Sequence, residues 1–133
     1  MTHRDLAEYP KLKLERQSIL ESIKEIEEDI AIKAFVYTGM PQSHNAVSQT
    51  EDKAIGIIAL KAGYLSRLAG IEKRMENIRI FIEQCPDCTL RTYMQYRYVL
   101  NRSAIQAAIA VNRSESTMKN NFRYFLQKVR THT

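Results

Sequence analysis

Lys119, Asn120 and Arg123 fall within about one turn of each other in the stretch ESTMKNNFRYFLQKV, residues 115–129. Asn and Arg side chains can place paired hydrogen bonds on the edges of adenine and guanine, while Lys and Arg neutralise phosphate. The chemistry such residues perform is recognition rather than bond making. Ser116, Gln127 and Arg130 share their helical stripe, which completes a face of cations interleaved with hydrogen-bonding side chains. Met118, Phe122, Phe125 and Val129 recur on the other side at steps of four, three and four, the spacing of one buried stripe.

The helix that positions this face is expected to begin at Ser114, a good N-cap, with Glu115 and Thr117 in its first turn. A carboxylate there suits the helix dipole. The preceding segment, Ala104 to Val111, is short and rich in alanine, which allows another helix to cross it closely. Asn112 stands in the turn between the two, and Asn tolerates a left-handed backbone better than most residues. A short apolar helix, a tight turn and a longer basic helix make the order of a helix-turn-helix. Before them, Thr89 to Leu100 reads as a helix carrying Tyr93, Tyr96 and Tyr98. Such tyrosines could stack on the bases of a single strand, but a three-helix head of this size needs a bulky first helix, which favours a core role. Arg97 and Arg102 are expected to contact phosphate.

Other chemistries find little support. Cys85-Pro86-Asp87-Cys88 has the spacing of a redox pair or of half a zinc site. The strand-helix context of a redox motif is missing, and His3, His44 and His132 are poorly spaced to complete a metal site. A hinge at Pro86, with Asp87 or Thr89 capping the next helix, fits better. His44 has no ligand or base beside it. There is no glycine-rich phosphate loop, no nucleophile with a recognisable base and no acidic cluster for magnesium. The expectation is a protein that is not an enzyme and uses neither cofactor nor metal.

The charge supports a polyanionic partner. The 133-residue chain carries a net +5, and from Asp87 onward eight Lys or Arg stand against two acids. Met1 to Pro86 has twelve bases and thirteen acids, so the positive charge is confined to the recognition end. Hydrophobic content is 44%, sufficient for a core of one domain, or of a small domain with a helical extension. No unbroken run of 18 apolar residues occurs, and the opening MTHRDLAEYP lacks a signal-like apolar stretch. A cytoplasmic protein without a membrane partner is expected.

Taken in order, Met1 to Pro10 reads as an irregular arm. Lys11 to about Lys33 reads as a helix with Leu12, Ile19, Ile23, Ile26 and Ile30 on a narrow seam. Ala34 to Val47 contains Gly39 and Met40-Pro41 and reads as a loop. Ser48, with Glu51 three residues on, has the signature of a capping box opening a long helix to about Cys85. Tyr64, Leu68, Ile71, Met75, Ile78 and Ile82 form a coiled-coil seam along it. Gly56, Ala59, Gly63, Ser66 and Gly70 form a second stripe of small residues. Each interior glycine costs a helix about 1 kcal/mol relative to alanine. The stripe is therefore expected either to receive the first helix or the same helix of a second subunit, or else to break the element in two.

These elements predict an all-α chain: a long antiparallel, coiled-coil-like helical hairpin over residues 1–86, followed by a helix-turn-helix head over residues 87–133. Gly56, Gly63, Gly70, Tyr64, Leu68 and Met75 are the expected oligomerisation residues. A homo-oligomer, with a dimer favoured, suits DNA recognition because two heads can read repeated half-sites.

At this level the chain resembles a known family. GMPQSHNAVSQTEDKAI, residues 39–55, is similar to the loop and helix start of ArpU- and RinA-type phage transcriptional regulators. RTYMQYRYVLNRSAIQAAIAVNRSESTMKNNFRYFLQKV, residues 91–129, resembles their C-terminal head, itself similar to the promoter-reading fourth region of bacterial sigma factors. It departs from that pattern at Ala107-Ala108 and Asn112-Arg113. The resemblance implies a promoter-binding activator of phage or prophage late genes, with Ser114, Ser116, Thr117, Lys119, Asn120 and Arg123 on the recognition helix. Its rivals are a small DNA-packaging (terminase) subunit, in which the DNA-binding part typically comes first, and a protein-interaction adaptor to RNA polymerase.

Overall fold

The computed structural model describes the backbone of residues 1–39 and 44–131 and the side chains of residues 1–30 and 54–131. Among the described residues the chain is all-α, without strands. Its elements are α1 (His3–Gly39), α2 (His44–Glu83), α3 (Cys88–Met94) continued by a π-helical turn (Gln95–Val99), α4 (Ala104–Ala110) and α5 (Glu115–Thr131).

The N-terminus is helical from His3, which corrects the expectation of an irregular arm. The Thr2 N–H donates to Asp5 Oδ2 at 2.8 Å and the Asp5 N–H donates to Thr2 Oγ1 at 3.3 Å, a reciprocal cap at the first turn. Those bonds from Thr2 hold the Asp5 carboxyl below its ordinary pKa. Leu6, Tyr9 and Leu12 are buried. Pro10 lies inside the helix, where a missing N–H and a clash with the preceding turn cost about 3 kcal/mol. Burial of the three apolar side chains around it outweighs that local penalty.

The expected break at Ala34 to Val47 is also corrected. α1 continues to Gly39 and α2 begins at His44 rather than Ser48, while Met40 to Ser43 lie outside the described residues. The glycines of α2 do not divide it, since the helix is continuous to Glu83. It stops before Pro86, as a proline stop requires.

Two compact units are distinguished. The first contains Met1–Leu14 with Lys73–Thr133, and the second contains Glu15–Glu72; the compact unit that includes residues 87–133 therefore also takes in two earlier segments. In the second unit, Glu15 pairs with Arg67 at 3.3 Å, Arg16 with Glu72 at 3.1 Å and Glu27 with Lys61 at 3.0 Å. From the Arg16–Glu72 pair to the Glu27–Lys61 pair, eleven residues on in α1, the α2 partner steps back by eleven, so these segments run in opposite directions. All three pairs are solvent-exposed and each contributes about 0–1 kcal/mol; their role is to fix register. Ile19, Ile23 and Ile71 are buried, Ile26, Tyr64 and Leu68 are half-buried, and Ile30 is exposed. The Tyr64 and Leu68 seam is thus partly covered within a single chain.

In the first unit, Glu8 pairs with Arg74 at 2.6 Å, and the Arg79 Nε–H donates to the Tyr9 hydroxyl at 2.7 Å. Met75, Ile78, Ile82 and Cys85 are buried. Asp87 caps α3 by accepting the Thr89 N–H at 3.0 Å, one of the two caps the sequence suggested. The helix expected over Thr89 to Leu100 is divided: α3 ends at Met94 and a π turn follows, in which the Leu100 N–H reaches back five residues to the Gln95 carbonyl at 3.0 Å. α3, α4 and α5 pack against one another.

Candidate nucleic-acid interface

Two asparagines set the frame of the site. Asn101 and Asn112 have φ of 55° and 56°, the left-handed region that Asn enters more readily than most residues, and they bracket α4. After Asn101, Ser103 caps α4: the Gln106 N–H donates to Ser103 Oγ, and Gln106 Oε1 accepts the Ser103 N–H, both at 3.2 Å. At the other end the Asn112 N–H donates to the Ile109 carbonyl at 3.0 Å, and the Arg113 N–H donates to the Ala108 carbonyl at 3.1 Å. That pair of bonds is a Schellman closure, which requires a left-handed residue at position 112. Asn112→Gly is expected to leave thermal stability unchanged or slightly raised. Asn112→Val should lower it by about 1–2 kcal/mol, and a urea melt of the two variants checks the difference.

Ser114 then opens α5. Its Oγ accepts the Thr117 N–H at 3.2 Å and donates to Thr117 Oγ1 at 2.6 Å, so the N-cap expected there is present. Both hydroxyls are committed to the cap. Met118 and Phe122 are buried and hold the helix in place, while Phe125 and Val129 of the same stripe are only half-buried. Opposite them α4 offers Ala107 and Ala108, 0% and 2% exposed; side chains this small let α5 cross closely.

The core behind α5 is aromatic. Phe122 lies 5.8 Å from Tyr98, 6.4 Å from Tyr93 and 6.3 Å from His3, measured between ring centroids. His3 Nδ1 and the Tyr98 hydroxyl are hydrogen-bonded at 2.6 Å. Burial pushes the Tyr93 and Tyr98 phenols above their ordinary pKa, because a phenolate would lose its water. These two tyrosines are therefore core residues, as preferred from the sequence, whereas Tyr96 is exposed.

Against this scaffold Ser116, Lys119, Asn120, Arg123, Gln127 and Arg130 are all exposed, and helical spacing gathers them on one side of α5. Lys119 forms an ion pair with Glu115 at 2.6 Å. Arg102 is exposed, but Arg97 is half-buried: it donates to the Arg102 carbonyl at 3.2 Å and its guanidinium lies 5.6 Å from the centre of the Tyr98 ring. Its bonds brace the turn before α4. Gly56, Gly63 and Gly70 are exposed, Tyr64 and Leu68 half-buried and Met75 buried.

No known protein family, curated protein or solved structure matches the chain.

The Cys85-x-x-Cys88 pair shows a buried and an exposed free thiol. Cys85 Sγ lies 3.7 Å from the Asp87 carbonyl, and burial pushes its thiol pKa up, the reverse of what a reactive thiolate needs. Among the described residues no group of three His, Cys, Asp or Glu side chains could hold a metal. Sequence reasoning missed His3, Asn101 and the Ser103–Gln106 box. The last was visible as a Ser with Gln three residues on, and the first as Thr2-x-x-Asp5 leading into Leu6, Tyr9 and Leu12.

Proposed function

We propose that this chain is a sequence-specific DNA-binding transcriptional regulator that reads the major groove with α5. In this reading α4 and α5 form a helix-turn-helix within a three-helix head, and α1 with α2 forms an antiparallel hairpin. The observation that carries the proposal is the outward face of α5. Lys119, Asn120 and Arg123 are exposed within about one turn, on a helix anchored by Met118 and Phe122 and set by the left-handed turn at Asn112. Seventeen residues make a rod about 25 Å long, and a major groove about 12 Å wide admits one helix. The local charge from Asp87 onward supplies phosphate attraction.

The likeness of residues 39–55 and 91–129 to ArpU- and RinA-type regulators supports a narrower role: activating phage or prophage late genes in the cytoplasm of a bacterial host. A second reading, an adaptor to RNA polymerase, is favoured by Ile105 and Ile109, which are 56% and 67% exposed on α4 and can neither neutralise phosphate nor hydrogen-bond a base edge.

Selection of bound fragments from phage and host DNA at physiological salt tests the proposal, with a Lys119→Ala/Arg123→Ala protein as control. Recovery of one upstream region by the unaltered protein alone is the expected result. Recovery of no specific fragment would reject DNA reading and leave the adaptor.

A further inference from the structure

From Ala54 to Ile71, one side of α2 carries no charge. Ile55, Ile58 and Leu65 are 65%, 62% and 46% exposed, and Ala62 and Ala69 lie with them. Beside this ridge runs the stripe of Gly56, Ala59, Gly63, Ser66 and Gly70, all exposed. A Cβ added at Gly56, Gly63 or Gly70 would meet nothing within 4 Å. The glycines are therefore not needed to admit α1 and, α2 being unbroken, pairing with a second subunit is the one of the three expected roles that is left. By length and composition the helix from Ala54 onward is also apolar enough to cross a membrane.

We propose that a second copy of this chain covers this face, α2 against α2, with Gly63 at the centre of the contact. Size, charge and pattern carry the argument. Eighteen residues of helix are about 27 Å long, and half the surface of a rod about 12 Å across, side chains included, is on the order of 500 Å² per copy, roughly 1,000 Å² for the pair. That is where specific interfaces begin. The charges flanking the face are already neutralised within the chain, Lys61 by Glu27, Arg67 by Glu15 and Glu72 by Arg16, so the occupant has to supply an uncharged helix face and no counter-charge. The chain's own face meets that requirement. Gly56 and Gly70 stand one heptad either side of Gly63, so small residues oppose small residues in a symmetric pair, and the helices can approach closely enough for Ile58 and Leu65 to pack beside the seam.

A bilayer fits less well. Three ion pairs tie α2 to an α1 segment that carries Glu21, Lys24, Glu25, Glu28 and Asp29 in addition to the paired residues, and these charges would have to enter hydrocarbon with it. Residues 15–72 contain six Lys or Arg against nine acids, a balance that anionic lipid headgroups repel. The pairing through α2 does not depend on what α5 binds.

The test is the mass of the full chain by sedimentation equilibrium at micromolar concentration, for the unaltered protein and for Ile58→Lys/Leu65→Lys. Both positions are exposed within one chain, so the far-ultraviolet circular dichroism of the variant should be unchanged. The unaltered protein is expected at twice the 15.4 kDa chain mass and the variant at the chain mass. Gly63→Leu gives a second, independent reading: a single chain accommodates the added side chain, while close approach of two helices is blocked, so it too should sediment as one chain with full helicity. A monomeric unaltered protein, or a dimer that survives both variants with helicity intact, would overturn the proposal. So would a monomer that co-sediments with phosphatidylglycerol vesicles, which would assign the face to lipid.

Discussion

Phe122→Ala is expected to cost about 3–5 kcal/mol of stability, the range for deleting a buried aromatic ring, and to abolish binding to every DNA sequence alike. The side chain is 8% exposed and its ring neighbours Tyr93 in α3, Tyr98 in the π turn and His3 at the start of α1. Each aromatic pair adds about 0.5–1.5 kcal/mol beyond its buried area. No other residue of α5 joins as many elements through its ring. Domains of this size have about 5–15 kcal/mol to lose, so the variant should melt many degrees lower and expose α5 to fraying. Phe122→Leu, which keeps most of the volume, should cost clearly less. Arg123→Ala, its exposed sequence neighbour, should stay within about 0.5 kcal/mol of the unaltered protein. Urea denaturation of the three variants orders them, and an unperturbed Phe122→Ala would mean that the aromatic cluster does not hold α5.

That cluster also marks where the sequence was readable and where it was not. α5 was legible because its information is local. A cap at Ser114, a left-handed turn residue at Asn112 and apolar positions at helical steps each obey short-range rules, and each appears where expected. The alanines of α4 carried a packing message that Ala107 and Ala108 deliver by being buried. The start of the first helix departs from the sequence reading for the opposite reason. Pro10 is a strong local signal against a helix interior, and only the burial of Leu6, Tyr9 and Leu12, a matter of tertiary contact, overrides it. The π turn at Gln95–Val99 has no local signature either, since one extra residue in a helical turn changes no propensity. Periodicity along α2 had a subtler limit. It identifies a stripe that must be covered, but Tyr64 and Leu68 acquire part of their cover within one chain, while the face that remains open is the one holding Gly56, Gly63 and Gly70.

Asn120→Ala and Arg123→Ala should each weaken binding to the selected site by about 1–3 kcal/mol, roughly tenfold to over a hundredfold, if each makes a paired contact to a base. Both side chains are exposed and neither belongs to the core, so the loss should come without a change in melting. Arg102→Ala and Lys128→Ala are expected to act differently, lowering affinity for all sequences together and reducing the salt slope by about one. Lys119 is intermediate, because phosphate must compete with its bond to Glu115; a surface pair of that kind contributes only about 0.2–0.5 kcal/mol and yields readily. The decisive comparison is Arg123→Lys. Lysine preserves the charge but not the planar fork that grips O6 and N7 of guanine. If Arg123 reads a base, Arg123→Lys should resemble Arg123→Ala on the selected site while retaining non-specific affinity, as titrations of specific and scrambled duplexes would register. If it holds phosphate, lysine should restore both, and the base contacts would have to come from Asn120 and Gln127, which share its stripe.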